Sequence, residues 1–152
     1  MRGDKMADIE ALKDEYIDHM MNPRNYGKIE NYSGKGIGKN PNNNELVEMY
    51  LKVTEKILVD IKFQAIGCMS TIITGSIFTD MVTGETIEEA ESVMEDFIKG
   101  LDNAPPETKA CGEMVAKSFM AALVNVSNRE NGRDEDEYTL LIAEDCVIDE
   151  EK

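Results

Sequence analysis

Apolar residues recur along this chain at two periods, and the switch between them falls at Gly67. Leu46–Val53 and Ile57–Ile66 alternate apolar with polar positions, the period of strands covered on one face and wet on the other. In the second, Ile57, Val59, Ile61, Phe63 and Ala65 are expected on one side, with Asp60, Lys62 and Gln64 opposite. In the first, Met49, Leu51 and Val53 share a face, and Thr54-Glu55-Lys56 is short enough for a hairpin. From Thr71 to Val82 the spacing becomes three and four. It predicts a helix that buries Ile72, Ile73, Ile77, Phe78, Met81 and Val82, with the small Thr74, Gly75 and Ser76 allowing close packing.

The remaining elements follow from the same signals. Ala7–Met21 reads as a first helix closed by Asn22-Pro23. Asn22–Asn44 is rich in Gly, Asn and Lys, with one weak strand near Ile29–Ile37. Its glycines at 34, 36 and 38 match neither dinucleotide nor P-loop spacing, which speaks against a phosphate cradle. Thr86 with Glu89 resembles a capping box for a short helix, and a further helix is expected over Val93–Lys99, ended by Gly100. Thr108 is placed to cap a long helix to Val126, with Cys111 in its first turn on the apolar face. Past Ser127 the chain turns polar and acidic, and Tyr138–Ala143 either adds a short strand or docks on the body. Helix, strands, then helices make an α+β layout.

Composition narrows the function. A chain of 152 residues with 41% hydrophobic content suits one folded domain. The net charge of −15 leaves no broad basic face for nucleic acid or an anionic membrane. No apolar run approaches the roughly 20 residues that span a bilayer. The opening residues do not read as a signal peptide, and the three cysteines lack close spacing, so a cytoplasmic protein with reduced thiols is expected.

Those cysteines carry the candidate chemistry. Cys68 is expected where a strand ends and a helix begins. Backbone N–H groups and the helix dipole there favour thiolate, the form that binds metal or attacks sulfur. The alternative for Cys68, as for Cys111, is a small buried residue filling a turn or a core. Cys146 sits among acids and reads as incidental. The single histidine, His19, reads as a helix-end cation, and no local Cys–His pair suggests a hydrolase or transferase.

Tyr16–Gly27, Phe63–Cys68 with Ser70, Ile72 and Ser76, Thr83–Ala90, and Pro105-Pro106 with Cys111 occur in that order. Together they resemble the motifs of NifU/IscU-type iron–sulfur cluster assembly scaffolds over roughly residues 8–127. The resemblance implies a three-stranded antiparallel sheet with helices packed on one face, a NifU/SufE-like fold. It divides the chain into a flexible 1–7, a scaffold domain over 8–127 and an acidic extension over 128–152. It also implies a non-catalytic carrier that receives sulfur from a cysteine desulfurase, takes up iron, and passes a transient cluster to acceptor apoproteins.

The chain departs from that pattern at the chemistry. Where the family has its first cysteine stands Asn43, and where it has an aspartate stands Glu45. Ala110 replaces a frequent histidine, and the proline-rich chaperone stretch is altered to Ala104-Pro105-Pro106-Glu107-Thr108. The expected ligands are Cys68, Cys111 and Glu45. A cluster commonly takes four protein ligands, so two chains could share one across a homodimer; iron or zinc alone is a further option. Two other readings stand beside the scaffold. One is a persulfide carrier that uses one cysteine, Cys111 by position. The other is a binding or regulatory module that keeps the fold without the cluster.

Overall fold

The computed structural model describes residues 17–67, 69–101 and 106–142. Strands β1 (Gly34–Lys39), β2 (Leu46–Thr54) and β3 (Ile57–Ile66) lead to helices α1 (Met69–Val82), α2 (Ile87–Gly100) and α3 (Pro106–Glu130), then to β4 (Tyr138–Leu141). Residues 17–21 are helical, and residues 7–16 of the expected first helix lie outside the described residues. The sheet runs β3-β2-β1-β4. Three strands are antiparallel, as expected, and β4 adds a fourth, parallel to β1. Among the described residues no helix is long and apolar enough to cross a membrane.

The β2–β3 hairpin closes through Glu55 and Lys56, both with positive φ (53° and 67°), the backbone of a two-residue turn whose twist suits the strands. Just beyond it the register shifts. Lys52 pairs with Asp60 and Val53 with Leu58, so Val59 is the extra residue of a bulge. The bulge corrects the predicted inner face. Ile61 and Phe63 point inward as expected, but before the bulge Leu58 is buried while Ile57 and Val59 are exposed.

β1 begins later than predicted, and its glycines explain its place. A Cβ on Gly36 would sit 2.1 Å from the Ala122 amide nitrogen, and one on Gly38 would sit 2.2 Å from the Met114 carbonyl oxygen. The glycines let α3 lie directly on strand backbone. Asn125, fully buried, fastens this contact. Its Oδ1 accepts the Lys35 N–H at 2.9 Å, and its Nδ2 donates to Glu135 Oε1 at 3.1 Å. Glu135 also accepts from Asn128 at 2.8 Å, and Lys35 pairs with Glu137 at 3.1 Å. These bonds set the approach of β4 to the sheet.

α1 departs from its expected stripe. It buries Thr71, Ile73, Gly75, Ser76, Phe78, Thr79 and Val82, while Met81 is exposed and Ile72 and Ile77 are half-buried. The polar part of that face receives the 18–27 segment. His19 is fully buried with Nδ1 2.5 Å from Ser76 Oγ, and the Arg24 N–H donates to the same oxygen at 2.7 Å. Asn25 Nδ2 donates to Thr79 Oγ1 at 3.0 Å. His19, read from the sequence as a helix-end residue near the dipole, is a buried fastener between this segment and α1. Asn25, Tyr26 and Gly27 cover the outer edge of β3, where Gly27 N–H donates to the Phe63 carbonyl at 2.8 Å.

Thr86 caps α2 as predicted, accepting the Glu89 N–H at 3.1 Å. The two short helices expected over this region are one continuous helix to Gly100. Phe78 of α1 meets Phe97 of α2 and Phe119 of α3, each with ring centroids 5.2 Å apart, and this joins the helices into one layer over the sheet.

Candidate functional site

Strand register sets Lys39, Leu46 and Ile66 side by side at one end of the sheet. The Asn40–Glu45 loop, the Gly67 turn and the start of α3 gather at that end. Cys68 lies outside the described residues, but β3 ends at Ile66 and α1 begins at Met69, the switch that the periodicity predicts. Ile66 and Met69 are 63% and 54% exposed, so the chain on both sides of Cys68 opens toward solvent.

The loop is held by asparagine turn chemistry. Asn40 Oδ1 accepts the Asn42 N–H at 2.9 Å, and Asn40 N–H donates to the Glu45 carbonyl at 2.8 Å. Asn43, where the resemblance places a first cysteine, has its Oδ1 engaged by the Glu45 N–H at 3.0 Å. Asn43 therefore shapes the turn that presents Glu45. The Glu45 carboxylate packs on Gly67, where an added Cβ would lie 3.2 Å from both Cδ and Oε1. Glycine at 67 leaves room for that carboxylate beside the residue preceding Cys68.

Cys111 is buried, 6% exposed. α3 begins at Pro106, a residue suited to a first helical position, and not after a cap at Thr108. Cys111 is thus the sixth residue of the helix, past the turn whose free N–H groups favour thiolate. Another donor reaches it. Thr71 Oγ1 donates to Cys111 Sγ at 3.2 Å, with Thr71 itself fully buried. The sequence pattern missed Thr71, because its partner lies 40 residues away and no local signal marks the contact.

The geometry thus links both outer candidates to the neighbours of Cys68: Glu45 through Gly67, and Cys111 through Thr71. Among the described residues no three His, Cys, Asp or Glu side chains gather at metal-binding range, and Cys68 is outside that set. A groove of about 630 Å³ lies at the opposite end of the sheet, between the hairpin tip, the start of α2 and the end of α3. It is rimmed by Glu55, Glu88, Glu91 and Glu130 and holds none of the candidate ligands.

Residues 11–132 match the family described as NifU-like N terminal domain. The chain belongs to this family. The iron-sulfur cluster assembly scaffold protein IscU 1 of Archaeoglobus fulgidus is 39% identical over 121 residues, which are 79% of this chain and 78% of that protein. The IscU scaffold of Azotobacter vinelandii is 32% identical over 124 residues, 79% of this chain and 97% of its own. Among solved structures, a putative iron-sulfur cluster assembly scaffold for the SUF system from Fervidobacterium islandicum superposes with a TM-score of 0.63. It is 19% identical and covers 74% of this chain and 94% of its own, which speaks to the fold. In this NifU-like domain the matched region stops at residue 132, so β4 and its parallel pairing with β1 lie beyond it.

Proposed function

We propose that this NifU-like domain is an iron–sulfur cluster assembly scaffold that carries iron or a 2Fe–2S cluster as cargo on Cys68, Cys111 and Glu45. One observation supports the reading: the chain on either side of Cys68 in sequence adjoins both other residues, with the Glu45 carboxylate beside Gly67 and Thr71 donating to the Cys111 sulfur. Two thiolates give soft donors suited to iron, and a carboxylate gives a hard donor that exchanges more readily. The same donor set fits zinc with water as a fourth ligand.

Such a site binds loosely, as a scaffold that must release its cargo requires. Sulfur would arrive from a cysteine desulfurase and the cluster would leave for acceptor apoproteins. The exposed backbone around Ile66 and Met69 supports access by such partners or by a second chain.

Anaerobic reconstitution with iron and sulfide tests the reading. Wild type is expected to develop visible absorption that Cys68→Ser and Cys111→Ser both lose, with iron content falling in parallel. A wild-type protein that gains no cysteine-dependent chromophore and retains no iron would overturn it. Size exclusion of the loaded protein reports whether one chain or two hold the cargo.

A further inference from the structure

The groove at the far end of the sheet is a built feature that cluster assembly does not use. Its volume is about 630 Å³. Main-chain bonds hold two of its walls together. The Ile87 N–H donates to the Lys56 carbonyl at 2.9 Å, the Leu58 N–H to the Glu85 carbonyl at 2.8 Å, and the Gly84 N–H to the Leu58 carbonyl at 2.8 Å. The hairpin tip is thereby tied to the start of α2, and the end of α3 forms the third wall. Val53, Ile87 and Leu123 line the groove half-buried, beside the buried Val126. Val53 and Leu123 also pack on the main core, so the floor is an uncovered edge of that core.

The rim decides what fits on this floor. Glu55, Glu88, Glu91 and Glu130 line the groove and are all exposed, against one cation, Lys56. Among the described residues none of the four is in a salt bridge. Arg129, next to Glu130 in the chain, lies instead over the Tyr32 ring at 4.8 Å. The helix ends do not reverse the sign. The C-terminal end of α3 adds partial negative charge, and Glu88 and Glu89 exceed the roughly half charge of opposite sign at the start of α2. An occupant must therefore be cationic where it meets the rim and apolar where it meets the floor. A small-ligand pocket would set polar groups inside the cavity to orient its ligand. Here the carboxylates stand apart on three separate walls, a spacing that a peptide segment can match with several side chains.

We propose that this groove docks a protein partner through a short amphipathic segment in which lysines or arginines flank one or two apolar side chains. The apolar side chains cover Val53, Ile87, Leu123 and Val126, and the cations pair with the four glutamates. Rim charges of this kind speed encounter and exclude acidic competitors. The net charge of −15 works against a second copy of this chain as the occupant. The candidate ligands lie at the other end of the sheet, so the partner holds the domain while that end stays open. The inference goes beyond the scaffold reading and does not depend on it.

Fluorescence anisotropy with a labelled amphipathic helical peptide of leucine and lysine tests this on the full chain at physiological salt. Neutralising three rim charges together, by Glu88→Gln, Glu91→Gln and Glu130→Gln, is expected to weaken binding roughly tenfold, as the loss of three exposed pairs would. Removing three exposed charges elsewhere, by Glu30→Gln, Asp80→Asn and Asp96→Asn, is expected to change it less than about twofold, because salt screens distant charges. Ser127→Trp, at an exposed position on the groove wall, is expected to block the peptide, with urea midpoints confirming that each variant folds. A serine-and-lysine peptide of the same charge is expected to bind at least about tenfold more weakly, since it has nothing to place on the floor. Equal weakening by the two charge sets would reduce the attraction to net charge and overturn the site. Unchanged affinity in Ser127→Trp would put the peptide elsewhere, and equal binding of the serine peptide would remove the floor; either result ends the inference. Wild-type chains that associate through this face, and separate when the peptide is added, would make a second copy the occupant and overturn the partner assigned. Absence of binding to wild type also overturns it, and each of these failures leaves the scaffold reading intact.

Discussion

At the scale of single residues, two hydroxyls do work that periodicity does not reveal. Thr71 supplies the described hydrogen bond to the Cys111 sulfur, from a fully buried position. Hydrogen bonds to a charged acceptor are stronger than neutral ones, so this donor favours thiolate. Thr71→Val keeps the shape and removes the donor. Alkylation of Cys111 at neutral pH should slow roughly tenfold, with Thr71→Ser restoring most of the rate. The reading is taken by mass spectrometry against time in a Cys68→Ser, Cys146→Ser background, and an unchanged rate would remove the assigned role. Ser76 acts on the fold. Its oxygen accepts the Arg24 N–H and meets His19 Nδ1, so Ser76→Ala takes a shared partner from two groups at the N-terminal docking segment. A loss of about 1–3 kcal/mol is expected by urea denaturation.

At the scale of elements, the contact between β1 and α3 sets helix backbone directly on strand backbone. Backbone atoms face Gly36, which leaves no flexible side chain to yield: Ala122 N at 2.1 Å and Ser118 O at 2.3 Å from an added Cβ. Gly36→Ala must push the helix off the strand and should cost about 3 kcal/mol or more. Gly100 is the contrast. It ends α2 with nothing within 4 Å of an added Cβ and without a positive φ, so Gly100→Ala should stabilise by roughly 0.5–1 kcal/mol. Urea midpoints with unchanged slopes would check both, and a neutral Gly36→Ala would contradict the close approach. The pair also separates two uses of glycine that look alike in sequence. One is required by a neighbouring backbone, which only the fold reveals, and the other is a local chain feature.

At the scale of the whole molecule, the strand and helix order was legible because periods of two and three to four are local. So were the hairpin and the Thr86 cap, whose residues lie close together in sequence. What was not legible depends on distant partners. The bulge at Val59 reassigns inner and outer faces through its pairing with Lys52 and Val53, and the polar buried face of α1 makes sense only once residues 18–27 dock on it. At the candidate site, the motifs singled out Cys68, Cys111 and Glu45, whereas Thr71 and its hydrogen bond to Cys111 needed coordinates. Long-range ties also set the response to acid. Asp18 is held below its ordinary range by the hydrogen bond and charge of Arg24, and Glu135 by hydrogen bonds from Asn128 and then Asn125. Both bind a proton more readily when unfolded, so the stability they add is complete above about pH 5 and is lost as pH falls through their lowered folded values. Glu85 has the opposite sign. Its hydrogen bond and repulsion with Glu89 raise it, so it costs stability at neutral pH and that cost is relieved as pH falls through its raised value. Because the net charge is −15, partial protonation also relieves general self-repulsion, and only differences between variants isolate these groups. Glu85→Gln should raise the thermal midpoint at pH 7, with the gain shrinking toward acid. Glu135→Gln should lower it at pH 7, with the loss shrinking as pH falls below about 5. Thermal unfolding of both beside wild type from pH 3 to 7 checks the signs. Parallel curves for either variant would show that its carboxyl titrates alike in the folded and unfolded chain.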